Sequence, residues 1–544
     1  MQRPLGAQIS HMLKDRGVDV IFGIPGVHNQ EMYRGIEEAG ITHILARHEQ
    51  GAGFMADGYA RASGKPGVAY VITGPGLCNI MTPMGQAYSD SVPMLVISSC
   101  LDDVAATKGQ LHQMKDQRAA AETVCDWSEE ARSASAAYRL IDRALVEFLT
   151  DRKRPKHIQV PIALLQAQAA PAIARPAPTA PRTPPRSSRN LLEGVQRPSL
   201  GAQQIKSLAR RIMEAERPLL IFGGGAATPG VESLVSSVLA KSKAASFTTY
   251  AGRGVVAPDN PRAFGASLAR PESATLLKSS DCVIYLGTDL AEVDLWRSDP
   301  GHRAGAVHIN LDPTVLAAAD ADDTRLQADA VDALAAIEGA FAGVPASRWS
   351  SEIVADYRAR WRAEVDAERP GIVAICDALR AVVPPDTMIY SDMTQLAYVA
   401  KEVWDMDRAC HWHHPYGFGT LGYATPAAIG GAIARAGQPT MAIIGDYGFH
   451  YTMQELGVAV ELGLRIPIIL WDNGKLKEIE ESMVRAQIAP NAVIARNPDF
   501  CRLAEAFGAR AAAPKSIEAL QSAVTEAFAA DGPTLICISP GLTG

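Results

Sequence analysis

Three doubly wound α/β domains, each built on a parallel sheet, are what this sequence predicts. Two observations carry the prediction. Short apolar runs ending in Gly, Pro or Ser alternate along the chain with longer helical stretches, as parallel strands joined by crossover helices do. At 544 residues the chain is also too long for one hydrophobic core. A Pro/Ala/Arg/Ser-rich stretch without apolar period, from Ala170-Pro171 to Pro184-Pro185, marks one division, and a weaker joint runs from Val344-Pro345 to Pro370. The expected limits are a first domain at 1–168, a linker at 169–200, a middle domain at 201–345, a second linker at 346–370 and a last domain at 371–544.

The elements follow in order. In the first domain, residues 18–22, 68–72 and 94–97 read as buried strands whose ends deliver loops to a site. In the middle domain, 218–222 leads into Gly223-Gly224-Gly225, and 282–286 leads into Gly287. Such glycine turns after strands are weak evidence for any ligand. In the last domain, 388–390, 441–445, 466–472 and 534–538 are strands, with a helix expected over 452–462.

Composition excludes several classes. The net charge is −7 with no clustered basic stripe, which argues against nucleic acid. There is no apolar run of about 18 residues and no signal-peptide pattern at Met1-Gln2-Arg3-Pro4-Leu5, so no membrane partner is expected and a cytoplasmic location is. Eight cysteines without a Cys-x-x-Cys pair indicate free thiols, neither a zinc site nor a disulfide framework.

The chemistry starts from two strand ends. Asp446 directly follows the run 441–445 and Asn473 directly follows 466–472, which places them 27 positions apart. In a βαβ unit the carboxyl ends of neighbouring parallel strands open on one crevice, so both side chains face it. A carboxylate, an amide oxygen and a nearby main-chain carbonyl suit Mg²⁺, which keeps coordination positions for water and phosphate oxygens. A plain strand-end turn is the alternative reading of this pair.

Gly445-Asp446-Tyr447-Gly448-Phe449 through Trp471-Asp472-Asn473 resembles the metal-diphosphate motif of thiamine diphosphate enzymes, which opens with Gly-Asp-Gly and closes with Asn-Asn. Phe22-Gly23-Ile24-Pro25-Gly26, Arg47-His48-Glu49-Gln50-Gly51-Ala52, Gly74-Pro75-Gly76 and Asn79 look like the pyrimidine-binding domain of the acetolactate synthase and 2-oxoacid decarboxylase branch. Gly417-Phe418-Gly419-Thr420-Leu421-Gly422, followed by Pro426-Ala427-Ala428-Ile429-Gly430, is similar to the segment that grips the aminopyrimidine from the other side. The resemblance implies thiamine diphosphate and Mg²⁺ as cofactors. Glu49 is then the carboxyl that activates the cofactor, against the plain reading of an acidic residue at a helix start. Pro75 and Asn79 line the same region. Gly419 offers a carbonyl to the pyrimidine amine, its lack of a Cβ permitting close approach, and Leu421 is the wedge that bends the cofactor. Asp446, Asn473 and the carbonyl of Lys475 hold the metal. Tyr447, Gly448, Thr394 and Gln395 meet the diphosphate, and Asp392 is structural.

Two residues depart from the motif: Tyr447 replaces its second glycine and Asp472 its first asparagine. Gly287-Thr288-Asp289-Leu290 stands where the synthases carry an arginine-containing flavin signature, so FAD is not expected. The family also implies a homodimer or homotetramer with active sites shared between subunits.

Within the family, the longer stretches Phe22 to His28, Arg47 to Lys65, Met84-Gly85-Gln86-Ala87-Tyr88, 93–99 and Gly419 to Tyr423 resemble 5-guanidino-2-oxopentanoate (2-ketoarginine) decarboxylases. The implied reaction is non-oxidative decarboxylation of a 2-oxoacid with a cationic tail. A guanidinium asks for carboxylates, and Glu478 and Glu481 lie three apart on one helical face, although a solvated acidic face explains them equally well. His28, His112 and Gln113 are further catalytic candidates for proton delivery or for the substrate carboxylate. His411, His413 and His414 are expected along the approach to the cofactor. The runner-up is an acetolactate synthase-type carboligase, disfavoured because Ser482 stands where those enzymes generally carry tryptophan. A non-catalytic homologue is the alternative of another class.

Overall fold

The computed structural model describes every residue except 104–106, 174–196, 304 and 544. Its first domain is a six-stranded parallel sheet in the spatial order Thr42–Leu45, Val20–Gly23, Gly67–Val71, Met94–Cys100, Lys156–Pro161, Trp127–Glu130. The middle sheet has five parallel strands, ordered Ala245–Thr248, Pro218–Phe222, Cys282–Leu286, Val307–Asn310, Thr324–Gln327. The third has six, ordered Trp412–His413, Met388–Ser391, Thr440–Gly445, Pro467–Trp471, Thr534–Ile538, Arg510–Ala512, again all parallel. The central strands are apolar and buried from end to end, because helices cover both faces of such a sheet. No helix among the described residues is long and apolar enough to cross a membrane.

The two expected joints differ in character. Ala169 still belongs to the first domain, where Gln168–Ala169 pairs antiparallel with Arg3–Pro4, and most of the Pro-rich stretch (174–196) lies outside the described residues. The segment 346–370, expected as a linker, carries an 18-residue helix, Ser351–Glu368. Trp349, Val354 and Trp361 pack into the middle domain's core against Phe247 and Phe264, so this segment is fixed by burial of large aromatics.

The first and last domains share one hydrophobic core, and helices Glu49–Ser63 and Ala424–Ala434 meet at its centre. Their backbones touch. A Cβ on Gly58 would lie 1.9 Å from the Ala427 carbonyl oxygen, and one on Gly430 would lie 1.9 Å from that of Met55. Beside this contact Arg61 is buried between Asp57 and Asp90, and Tyr423 donates to Asp57 at 2.8 Å. Position 49 is the first residue of one of these helices, so the packing fixes where its side chain emerges.

His413 and His414 do not line an approach. Both are buried in the last domain, His413 packed on Tyr390 and His414 bonded to Ser391 Oγ at 2.9 Å, because the short strand Trp412–His413 pairs with Met388–Ser391. His411 lies beside Asp386.

Candidate active site

One half of the site forms at the carboxyl ends of the first sheet. His48 caps the helix that follows, its Nδ1 accepting from Gln50 N at 3.0 Å. Glu49 begins that helix, is buried, and accepts a 2.9 Å hydrogen bond from Asn79 Nδ2. A Cβ on Gly76 would stand 3.3 Å from Glu49 Oε1, so the bare glycine leaves room beside the carboxylate. Gly74, at φ +71°, turns the chain so that exposed Pro75 starts the helix Pro75–Ser89. The His28 and His112 rings meet edge to face with centroids 4.9 Å apart. The Nδ1 atoms of both are buried with no hydrogen-bond partner, two polar groups left for a ligand. Burial and the neighbouring His112 hold the His28 imidazole below the ordinary histidine range, so it is neutral near pH 7. Gln113 instead serves its own loop, accepting from Gly109 N at 2.8 Å and donating to the Thr107 carbonyl at 2.8 Å.

The other half lies at the carboxyl ends of Thr440–Gly445 and Pro467–Trp471, whose last residues, Gly445 and Trp471, are register partners. Asp446 and Asn473 stand at these ends. The helix begins at Asp446 itself and breaks into a 3₁₀ turn at Met453–Glu455, rather than starting at 452. Asp446 Oδ2 accepts from Gly474 N at 2.9 Å and from Asn497 Nδ2 at 2.7 Å, and its Oδ1 from Tyr447 N. Burial raises its carboxyl above the usual range, against these hydrogen bonds. Asn473 Oδ1 accepts from Lys475 N at 3.2 Å. Thr394 stands just before the helix Gln395–Val403 and packs on Gly445, which brings that helix start beside Asp446. Gly448 must be glycine, since a Cβ there would sit 2.7 Å from Asp392 Oδ2. All-oxygen donors on fixed strand ends fit a hard divalent cation, and the adjoining backbone amides fit a diphosphate.

Asp392 is the clasp that holds the glycine-rich segment: it accepts from Met393 N and Gly422 N, each at 2.8 Å, and burial pushes its carboxyl up to about 7. Gly419, at φ +67°, has no atom but Met393 Cε near its missing Cβ, and half-buried Leu421 follows. This segment sits over the far end of helix Pro75–Ser89, with Gly417 N on Asp90 and Thr420 N on Gln86. Gln86 is seven residues beyond Asn79, a rise of about 10 Å at 1.5 Å per residue. Within one chain, Gly419 and Leu421 are therefore set well away from Glu49.

The remaining candidates are already engaged. Glu478 accepts from Arg369 at 3.2 and 3.0 Å and from Gln395 Nε2 at 3.0 Å. Glu481 lies 3.5 Å from Lys477. Lys475 Nζ bonds Glu480, which leaves only its backbone for a metal.

Two residues were not anticipated. Asn497 donates to both Asp446 and Asp472, the latter at 2.8 Å, and so answers the charge that Asp472 adds. Its only sequence signal is an Asn-Pro step, which reads as a turn. Glu455, fully buried, reaches from the last domain to the first, where both its oxygens accept from Arg47 N at 3.2 and 3.1 Å. Burial pushes its carboxyl up to about 7. The stretch 452–462 carries two glutamates, Glu455 and Glu461, and its sequence does not single out Glu455.

A buried, oriented carboxyl beside the bare Gly76, and an acid-amide pair on adjoining strand ends, define a protein built for thiamine diphosphate. The chain belongs to the thiamine pyrophosphate enzyme family: its N-terminal TPP binding domain matches residues 3–120, the central domain 205–337 and the C-terminal TPP binding domain 392–538. Among relatives, the chain is similar to the "Probable 2-ketoarginine decarboxylase" of Pseudomonas aeruginosa, 38% identical over 98% of this chain and 93% of that protein. It is also similar to the acetolactate synthase isozyme 1 large subunit of Escherichia coli, 25% identical over 98% and 94%. The mitochondrial acetolactate synthase catalytic subunit of Saccharomyces cerevisiae is 26% identical over 98% of this chain and 80% of its own length.

Proposed function

We propose that this enzyme decarboxylates a 2-oxoacid non-oxidatively with thiamine diphosphate and Mg²⁺, and that the substrate is 5-guanidino-2-oxopentanoate, yielding the aldehyde and CO₂. The observation that carries the reading is the gap between 38% identity to a 2-ketoarginine decarboxylase and 25–26% to acetolactate synthases over the same extent of chain.

Thiamine diphosphate, when bound, supplies the electron sink for breaking the bond between carbonyl carbon and carboxylate. Glu49 holds a proton toward the pyrimidine ring, oriented by Asn79, while Pro75 borders the ring pocket. The Gly419 carbonyl and Leu421 shape the cofactor from the opposite side. Asp446, Asn473 and the Lys475 carbonyl hold Mg²⁺, and Thr394, Gln395 and the amides at Tyr447 and Gly448 receive the diphosphate. His28 and His112 move the proton to the carbon that loses CO₂, with Gln113 holding their loop. Glu478 pairs with Arg369 in the bidentate geometry a carboxylate gives a guanidinium, which supports the reading that this helix face, with Glu481 one turn further, turns toward a cationic tail.

The site is read as shared between two copies of the chain. The offset of Gly419 from Glu49 supports this, as do exposed apolar side chains beside both halves: Val27 and Leu111 near the histidines, Ile479 and Val484 beyond Asn473.

The test is CO₂ release from a panel of 2-oxoacids with Mg²⁺ and thiamine diphosphate. Turnover of 5-guanidino-2-oxopentanoate above pyruvate is expected. Acetolactate formed from pyruvate, with the guanidino acid untouched, would make the enzyme a carboligase.

A further inference from the structure

In the middle domain, apart from every residue above, two histidines and an aspartate converge. His302 Nε2 lies 3.0 Å and His308 Nε2 2.9 Å from the same oxygen, Oδ2 of Asp323, and the three atoms fall within 4.8 Å of one another. The side chains are 4%, 11% and 0% exposed respectively, so the group is inside the fold and not a surface coincidence. His308 is the second residue of strand Val307–Asn310 and Asp323 immediately precedes its partner Thr324–Gln327, while His302 comes from the loop that enters the first of them. The cluster thus marks the amino ends of the sheet. At the opposite, carboxyl ends, Asp289 and Asp312 pair with Arg152 of the first domain.

One carboxylate oxygen facing two imidazole nitrogens at this distance is held either by two N–H protons or by one cation in their place. Ligand atoms about 2.1 Å from a common ion sit roughly 3.0–3.4 Å apart, close to the two nitrogen–oxygen separations here, while the two imidazole nitrogens lie within 4.8 Å of each other. The outer contacts are those that fix ligands: His302 Nδ1 lies 2.9 Å from Tyr285 OH, and Asp323 Oδ1 accepts from Gly305 N at 3.1 Å. Two imidazoles with one carboxylate favour a transition ion over Mg²⁺, whose preferred donors are all oxygen. We propose that His302, His308 and Asp323 bind one divalent transition-metal ion of the zinc and cobalt class, which clamps His302 and its neighbours onto the middle sheet. The site is independent of the cofactor and of the reaction assigned above.

The experiment uses the full chain, stripped with a chelator and then held in excess Mg²⁺ and thiamine diphosphate so that the diphosphate site is occupied. Zn²⁺ titrated by calorimetry should bind at one equivalent per chain and raise Tm, and Co²⁺ should acquire the visible absorption of a nitrogen-ligated ion. His302→Gln keeps an amide donor for Asp323 and should abolish both signals, whereas Tyr285→Phe should weaken Zn²⁺ binding by about 10–100-fold. Unchanged Zn²⁺ binding in His302→Gln would overturn the site. So would a wild-type protein that shows neither stoichiometric Zn²⁺ binding nor the Co²⁺ absorption, a result that needs no variant to fold.

Discussion

Glu49 and Glu455 are two buried carboxyls at one helix start with different duties, and substitution separates them. Under the proposed mechanism, Glu49→Gln removes the proton that the pyrimidine side requires while leaving Asp446 and Asn473 intact. Decarboxylation should fall by about 10²–10⁴-fold, with the diphosphate end still anchored. Steady-state kcat together with thiamine diphosphate Kd checks this, and an unchanged kcat would remove Glu49 from the chemistry. Glu455 touches only backbone amides, and its signature is in stability. Its carboxyl is raised from an ordinary 4.5 to about 7 in the fold, so the native state binds the extra proton between those values. Unfolding free energy should therefore fall as pH rises from about 4.5 to 7, by on the order of 2 kcal/mol from this group. Glu455→Gln cannot titrate and should flatten that slope relative to wild type, a difference that cancels the parallel titration of Asp392. Chemical denaturation at stepped pH measures it. The positions of Asp446 and Asn473 at strand ends and of Glu49 at a helix start were legible because these are local events, while the role given to Glu49 came from the family resemblance. Glu455, Asn497 and the Arg369 partner of Glu478 were not, since each gains its meaning from a contact 51 to 408 positions away.

Among elements, the contact of Glu49–Ser63 with Ala424–Ala434 carries the most consequence for the site. Neither helix has room for a side chain at Gly58 or Gly430, and the obstruction in each case is backbone. Gly58→Val should lower stability by about 3 kcal/mol or more, since overpacking against main chain cannot be relieved by a rotamer change. It should also weaken thiamine diphosphate binding, because the helix that shifts begins at Glu49. Guanidinium denaturation and cofactor titration on the same sample test both. A loss of stability with cofactor affinity intact would show that the helix start is held by Glu455 and His48 alone. Central strands such as Gly67–Val71 and Pro467–Trp471 were readable as continuous apolar runs, whereas edge strands such as Thr324–Gln327 and Arg510–Ala512, short and partly exposed, were not. The helix Ser351–Glu368 was hidden because its buried residues, Val354, Trp361 and Val365, are few among charged neighbours and lie beside a Val-Pro step that reads as a joint. Its packing partners, Phe247 and Phe264, lie about a hundred positions earlier.

At the scale of the whole molecule, a single chain sets the segment of Gly419 and Leu421 away from Glu49, which is why the site is proposed to be shared. Gly419 and Leu421 stand over one end of helix Pro75–Ser89 and Glu49 bonds to its other end, while helix Lys477–Arg485 beyond Asn473 buries no residue. A second copy turned about a two-fold axis would cover these surfaces and complete two equivalent sites, each taking Glu49 from one chain and Asp446 from the other. Complementation distinguishes this arrangement from a site within one chain. Glu49→Gln and Asp446→Ala each leave every site of a homodimer defective, so either preparation alone should be nearly inactive. After mixing and subunit exchange, a hybrid has one site with both substitutions and one with neither, and random pairing should restore about a quarter of wild-type activity. If both residues of a site came from the same chain, no mixture would recover activity, because every site would still carry one of the two lesions.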